Sequence, residues 1–504
     1  MLNRAENSYV RMLVFCAATI LIRLPFTSRF LYSQDSVQFA LALEKYDVYL
    51  HQPHPPGYFL YVMAGKLINH FTQDANASFI AMSVVASGLT VVAIYYLARA
   101  IFNENTAWWA GWLAVTSPLL WFYGEVALSY IVAAFFNAWI ALLCWRLLHG
   151  ERKRAYLSAV LLGIGGGIRQ DLLMFLFPLW IFCIATVEWR KFVTALVILG
   201  VTVAGWFVPM LLISGGRERY FAAVNQFWEF HYSQFPIWNA AAPSRLDTIL
   251  TILGFASYGI GIGVLFIVLG CYASLRTGHW RLLDKNKRHF FILWFLPAIV
   301  FHCFIFILPY NHAYGVFFLP ALFILLPPLV EYVLFELQRA AGFRNVTVHH
   351  IVSGALGLVV AINAGAFLLS SLSYSAKSIR EHDRNLSIIL AGIKTTFPSK
   401  NTIALDFKSS IFYGYRHIQY YLPDYQVYLA DLRVNEKGER WHIFGAVNGR
   451  TVLADAVHIP TNIRYIIYVM DPSDEDYKKE LQRYNLNRLS LKNEIVLYYR
   501  KIIP

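Results

Sequence analysis

The sequence predicts a polytopic α-helical membrane protein, with about eleven membrane-crossing helices in residues 1–374 and a small extracytoplasmic α/β domain in residues 375–504. Three observations predict it. The 504 residues are 58% hydrophobic and 14% charged, against about 25% charged in soluble proteins. The charge is uneven: residues 1–374 hold 24 Lys/Arg and 16 Asp/Glu, whereas the tail holds 19 and 14 in a third of the length. The apolar runs of the first part approach about 20 residues, the helix length that crosses about 30 Å of hydrocarbon.

In order, the spans fall at roughly 10–27, 77–101, 107–123, 130–148, 156–168, 172–187, 192–213, 249–275, 290–308, 316–335 and 351–374. Residues 156–168 and 172–187 are short and read either as two spans or as a pair broken around Arg169 and Asp171. Arg4 and Arg11 with the apolar run Val10 to Leu24 look like a signal peptide, but no small-residue cleavage site follows, so the run reads as a retained first helix. All five cysteines lie in apolar spans, which implies no disulfide framework.

The net charge of +13 comes from short basic clusters between spans. Such clusters set topology, and no continuous basic face points to nucleic acid. Arg146 with Arg152 to Arg154, Arg190 with Lys191, and Arg276 to Arg288 alternate with the Lys- and Arg-free loops 124–129 and 309–315. The expected orientation is therefore a cytoplasmic N-terminus and, after eleven crossings, an external tail, and the absence of a long luminal insertion makes the bacterial inner membrane the expected localisation.

Three external segments are long enough to build a site: 28–76, 214–248 and the tail. In the first, Ser36 to Leu50 is amphipathic and is expected as a helix along the membrane interface, and Gly57 to Phe71 as an interfacial or re-entrant piece. In the tail, Ser378 to Ile393 reads as helix. Thr402 to Phe407, Arg464 to Met470 and Glu494 to Arg500 read as strands, and Ser473 with Asp476 as a capping box opening a helix to Tyr484.

Asp35 is the sharpest chemical candidate, an acid just beyond a membrane helix and followed by His51-Gln52-Pro53-His54-Pro55-Pro56-Gly57-Tyr58. The residue alone also fits a helix cap. Arg169 follows a glycine-rich stretch at an outer helix end, where a guanidinium either grips phosphate or pairs with Asp171. Glu125, at the outer end of the third span, is a second acid that orients Arg169 or an acceptor, or faces water. Tyr58, Gln170, Asp171, His312 and Trp228, the last in the aromatic run Phe227 to Tyr232, are candidate substrate contacts. His51 and His54 are spaced like metal ligands, but no third ligand is in view.

The order and spacing of Asp35, Pro55-Pro56 and Tyr95-Tyr96-Leu97-Ala98-Arg99-Ala100-Ile101-Phe102 resemble the GT-C fold glycosyltransferases. Members that it resembles include the dolichyl-phosphate-mannose protein mannosyltransferases and the lipid A aminoarabinose transferase. His54 to Tyr58 also resembles the His-Pro-Pro-Gly-Tyr signature of related membrane O-mannosyltransferase-like proteins. The likeness is strongest over residues 20–180. It implies a GT-C architecture and transfer of a monosaccharide from a polyprenyl-phosphate donor to a protein, lipid or glycan acceptor, with inversion. It also implies Asp35 as general base, Glu125 as second acid, and Arg169 with His54 on the donor phosphate. Many relatives carry a second acid beside the base where this chain has Gln34, which weakens the case for a metal.

Neither a Walker-type loop nor a nucleotide-sugar fingerprint is present, as a lipid-linked donor would allow. No cofactor is required by the sequence, and nothing in it supports a divalent cation. The rival function is a transporter or flippase of lipid-linked sugars, which would show paired halves with matching interrupted helices. No such symmetry is detectable.

Overall fold

The structure, a computed structural model, describes residues 2–231, 233, 235–239, 242–277, 283–309, 311–341, 348–406, 410–431, 442–447, 450–454, 462–482 and 486–502. Tyr232, Phe407 and Tyr484, which end three of the segments expected above, lie outside the described residues.

The first part is helical throughout. Its elements are α1 (Leu2–Arg23), α2 (Gln34–Glu44), α3 (Phe59–Thr72), α4 (Ala75–Ile101), α5 (Glu104–Thr116), α6 (Pro118–Tyr123), α7 (Tyr130–Leu148), α8 (Ala155–Ile168) and α9 (Gln170–Ile184). There follow α10 (Trp189–Ile213), α11 (Arg217–His231), α12 (Arg245–Ile260), α13 (Val264–Thr277), α14 (Lys285–Phe304), α15 (Leu319–Ala341) and α16 (Val348–Leu369). Among the described residues, eight helical stretches are long and apolar enough to cross a membrane. The chain is a multi-pass membrane protein. The other three expected spans fall on α5 with α6, on α8 and on α9, each helix shorter than a full crossing.

Each break has a local cause. Pro118 lacks an N–H and starts α6, while Ser117 caps it by accepting from Leu120 N at 3.4 Å. Arg169 is extended (φ −149°, ψ 120°) between α8 and α9, so these two are the broken pair. The span expected at 249–275 is two helices divided at Gly261 (φ +56°), where a Cβ would come within 2.0 Å of Asn363 Oδ1. The apolar windows of α4 and α7 are 72% and 78% enclosed, whereas those of α1 and α10 are 17% enclosed, so the first pair forms the centre and the second the rim. Ser83, Ser87 and Thr90 on α4 donate back to carbonyls one turn earlier, which satisfies their hydroxyls inside the bundle.

The expected interfacial helix over 36–50 is corrected. α2 stops at Glu44 and the chain closes a tight loop, in which Asp47 and Gln52 bridge and Asp47 accepts from Tyr49 N at 3.1 Å. Most of α2 is buried, packed against α3, α4 and the C-terminal domain, while Glu44 and Lys45 at its end stay exposed.

That domain comprises α17 (Ala376–Thr396), β1 (Thr402–Asp406), α18 (Tyr415–Tyr421), β2 (Gln426–Asp431), β3 (His442–Val447), β4 (Arg450–Ala454), β5 (Tyr465–Tyr468), α19 (Glu475–Gln482), β6 (Asn487–Ser490) and β7 (Val496–Lys501). The sheet order is β4-β3-β2-β1-β5-β7-β6; β1 runs parallel to β2 and β5, and the outer pairs are antiparallel. Ile389 and Ile393 of α17 pack with Ala404, Ile418, Val427 and Ile467 on one face. α19 is capped by Asp474, which accepts from Tyr477 N at 2.8 Å; Ser473 instead pairs with Asp471, so the expected cap is displaced by one residue.

Candidate active site

A cavity of about 610 Å³ lies where the segment between α1 and α4, the loop between α6 and α7, residues Phe306, Leu308 and Asn311, and the C-terminal domain meet. Asp35 and His54 line it together with Gln38, Tyr130, Asn311 and Tyr374.

Asp35 is the second residue of α2 and does not cap it. Ser33 does, in a reciprocal box with Ser36 at 3.4 Å. The Asp35 carboxylate is thereby released to the cavity, with its side chain 42% exposed and Oδ1 3.7 Å from His54 Nδ1. The ring of His54 is buried. Its Nδ1 lies 2.7 Å from Gln38 Oε1 and its Nε2 3.1 Å from the Tyr58 hydroxyl. Gln38 Oε1 only accepts, so Nδ1 carries the proton and Nε2 accepts from Tyr58. Burial holds the His54 pKa below its ordinary value, and Arg169 and Arg416 push it the same way against Asp35. A neutral histidine thus stands beside the carboxylate.

The Pro-rich loop is held from several sides. Tyr46 donates to Gly57 O at 2.6 Å, and Pro56 O accepts from Tyr220 at 2.9 Å and from Gln170 Nε2 at 3.2 Å. Gly57 has φ +117°, and a Cβ there would be 2.8 Å from both Met210 Sδ and the Tyr46 hydroxyl, so only glycine fits. Gln170 therefore braces the loop that carries His54 and Tyr58.

Arg169 is buried beneath this loop. Nη2 donates to Asp171 Oδ2 at 2.6 Å, Nε to both Asp171 oxygens at 3.2 Å, and Nη1 to Ser129 Oγ at 3.0 Å. Its guanidinium sits 5.3 Å from the Tyr58 ring centre and 4.5 Å from that of Tyr130. Two motifs more than a hundred residues apart are thus brought together, with the cation behind an aromatic wall of the cavity and outside its lining.

Glu125 is fully buried and faces neither water nor Arg169. Arg23 of α1 is the principal cation acting on it, and burial raises its carboxyl well above the usual range against that pull. His312 packs among the rings of Phe255, Tyr258 and Tyr374, next to the cavity-lining Asn311. Trp228 is 39% exposed on α11; it is its neighbour Phe227 that lines the cavity, stacked 6.0 Å from His54. Among the described residues no group of three His, Cys, Asp or Glu side chains is placed to hold a metal ion.

The C-terminal domain supplies Ser378, Ile411 and Phe412 to the cavity. Ile411 and Phe412 follow β1, beyond the carboxyl end of the parallel strands, the usual place for ligand contacts in such sheets. Asp406 organises this loop by accepting from Ser410 N and Tyr415 N, and Ile411 O accepts from Gln34 N at 2.7 Å, one residue from Asp35. Asp383 accepts from Ser28 Oγ and Arg29 N, Tyr421 from Leu31 N, and Arg416 donates to Leu50 O. None of these contacts was expected from the sequence.

Residues 53–213 match the family model of the dolichyl-phosphate-mannose-protein mannosyltransferases. Over almost the whole chain the structure superposes on ArnT from Cupriavidus metallidurans. The match is 14% identical to the apo form, with a TM-score of 0.56 and coverage of 99% of this chain and 98% of that one. To the form bound to undecaprenyl phosphate it is 13% identical, with a TM-score of 0.55 and coverage of 98% and 97%. The chain has the GT-C glycosyltransferase fold. The family match spans both the His54 to Tyr58 and the Arg169 to Asp171 motifs. No curated protein matches the sequence itself.

Proposed function

We propose that this GT-C protein moves a monosaccharide from a polyprenyl-phosphate donor to an acceptor hydroxyl, with inversion, at the cavity bearing Asp35. The observation that carries the reading is the Asp35 carboxylate itself: relieved of capping by Ser33, partly exposed, and set on the wall of a 610 Å³ cavity beside a neutral His54.

In this reaction the acceptor oxygen attacks the anomeric carbon as the bond from that carbon to the phosphate oxygen breaks. Asp35 takes the acceptor proton, and the lipid phosphate leaves with the bonding electrons. A phosphate leaving group needs positive charge more than a proton. Arg169 and Arg416 both impose positive potential at His54, which is the part of the wall proposed to face the phosphate; His54 itself, with its N–H on Gln38, shapes that wall and donates nothing to the phosphate. Arg169 acts from behind Tyr58 and Tyr130. Phe227, Tyr374 and Phe412 offer faces to a sugar ring or a prenyl chain. That ArnT from Cupriavidus metallidurans was solved with undecaprenyl phosphate supports the donor class. The acceptor is a protein, lipid or glycan hydroxyl, and the cavity and the C-terminal domain lie on the external face, with the N-terminus cytoplasmic.

The test presents purified protein in nanodiscs with a panel of labelled polyprenyl-phosphate monosaccharides and membrane extract as acceptor. Release of polyprenyl phosphate with label appearing in the acceptor is expected for at least one donor. Movement of intact lipid-linked sugar between leaflets, with no cleavage of any donor, would make the protein a transporter instead.

A further inference from the structure

We propose that a second lipid site, for an anionic diacyl phospholipid, lies on the face of the membrane opposite the Asp35 cavity. α7 begins at the cavity with Tyr130 and ends at Leu148, about 27 Å away at 1.5 Å per residue, a full hydrocarbon thickness. Beyond that end, the α7–α8 and α9–α10 loops meet, tied by Arg152 Nη1 to Glu188 Oε1 at 3.6 Å.

A separate hollow of about 810 Å³ opens there, lined by Arg152, Lys153, Arg154, Tyr156, Leu157 and Lys191. Six basic side chains, including Arg146 and Arg190, meet only two carboxylates in these loops, Glu151 and Glu188. The carboxylates are already engaged by Arg146, Arg154, Arg152 and Lys191, which leaves a net positive rim. Such a rim attracts a phosphodiester anion.

The layout below the rim selects a lipid over a soluble phosphate. Trp189, Val193, Val197 and Val201 recur every four residues on α10 and are 71%, 44%, 57% and 66% exposed. They form an open apolar stripe running from the basic hollow into the bilayer, and Tyr156 and Leu157 of α8 are exposed at its head. A charged pocket above an apolar track matches a headgroup above its acyl chains. By contrast, the hollow beside Arg11 on α1 has its carboxylate, Glu104, bonded by Arg11 at 2.7 Å and by Arg99 at 2.9 Å. It carries no comparable surplus of charge.

The test titrates the full chain in detergent with phosphatidylglycerol or phosphatidylcholine and counts retained lipid by native mass spectrometry. Three proteins are compared: wild type, a hollow variant Lys153→Gln/Arg154→Gln/Lys191→Gln, and a control variant Lys285→Gln/Lys287→Gln/Arg288→Gln that removes as many charges from the start of α14. Wild type and control should retain phosphatidylglycerol about tenfold better than phosphatidylcholine, an energy difference of about 1.4 kcal/mol. The hollow variant should lose the preference while keeping the elution profile of the wild type. Equal retention of both lipids by wild type, or an unchanged preference in the hollow variant, overturns the site. Displacement of the lipid by glycerol 3-phosphate at equal concentration assigns the hollow to a soluble anion and overturns the lipid reading.

Discussion

Arg416, in the C-terminal domain, donates from Nη2 to the carbonyl oxygen of Leu50 at 2.8 Å and joins positions 366 residues apart. The guanidinium is nearly fully buried, with Nε on the Tyr415 hydroxyl at 3.1 Å and Nη1 on Gln419 at 2.9 Å. It clamps the loop that runs from α2 to His54, so the geometry around Asp35 depends on a domain more than 300 residues away.

Replacing Arg416 with Met should loosen that loop. A buried hydrogen bond from a charged donor contributes about 1.5–3 kcal/mol. Amide exchange over residues 45–58 should therefore accelerate at least tenfold while exchange in α4 and α7 stays unchanged, as mass spectrometry of exchanged peptides can show.

The junction is also sensitive to acid. Burial, with His382 alongside, pulls the pKa of His417 down to about 3, and burial lowers His382 as well. Both are neutral in the fold, while the unfolded chain protonates them near pH 6.5. The contribution of each is fully present above that value and is lost as pH falls below it, for His417 down toward about 3. For His417 alone the loss at pH 5 is on the order of 2 kcal/mol. Thermal unfolding followed between pH 7.5 and 5 should show the decline, and His417→Gln should flatten it.

Arg169 is expected to be intolerant of conservative change. Arg169→Lys cannot reproduce three hydrogen bonds to Asp171 and one to Ser129, and Arg169→Met leaves a partly buried Asp171 unpaired, a loss of at most about 3–5 kcal/mol, the range for a fully buried pair. Both variants should lower the unfolding temperature, Arg169→Met more. A double variant Arg169→Met/Asp171→Leu should recover stability without recovering turnover.

Phe412 reaches the cavity from the C-terminal domain. Phe412→Ala should raise the KM for donor about 2- to 10-fold with kcat little changed, from loss of about 0.5–1.5 kcal/mol of stacking. Steady-state kinetics on the donor identified in the release assay would read this directly.

The parts of this architecture written in local pattern were legible in the sequence. Apolar runs marked the helices, and the short spans beside Arg169 left a break there as one of two readings, which the extended backbone of Arg169 decides. Asp35 stood out by its place after the first helix. What the pattern concealed depends on distant partners. Ser36 to Leu50 read as interfacial because the residues that cover it, on α18, follow some 370 positions later. Asp383, Arg416 and Tyr421 looked like ordinary polar residues of a small α/β domain, and only the fold sets them on the backbone of the segment between α1 and α3. Arg23, the main cation acting on Glu125, was hidden for the same reason: its guanidinium turns inward from α1 to the carbonyl of Val115 at 3.3 Å.

The most direct test of the central claim compares wild type with Asp35→Asn in one nanodisc preparation, measuring both donor affinity and polyprenyl-phosphate release. General base catalysis is typically worth about 100-fold to 10,000-fold. Release should fall by at least that lower factor while donor affinity and unfolding temperature remain close to wild type. Release by Asp35→Asn at the wild-type rate would contradict the account.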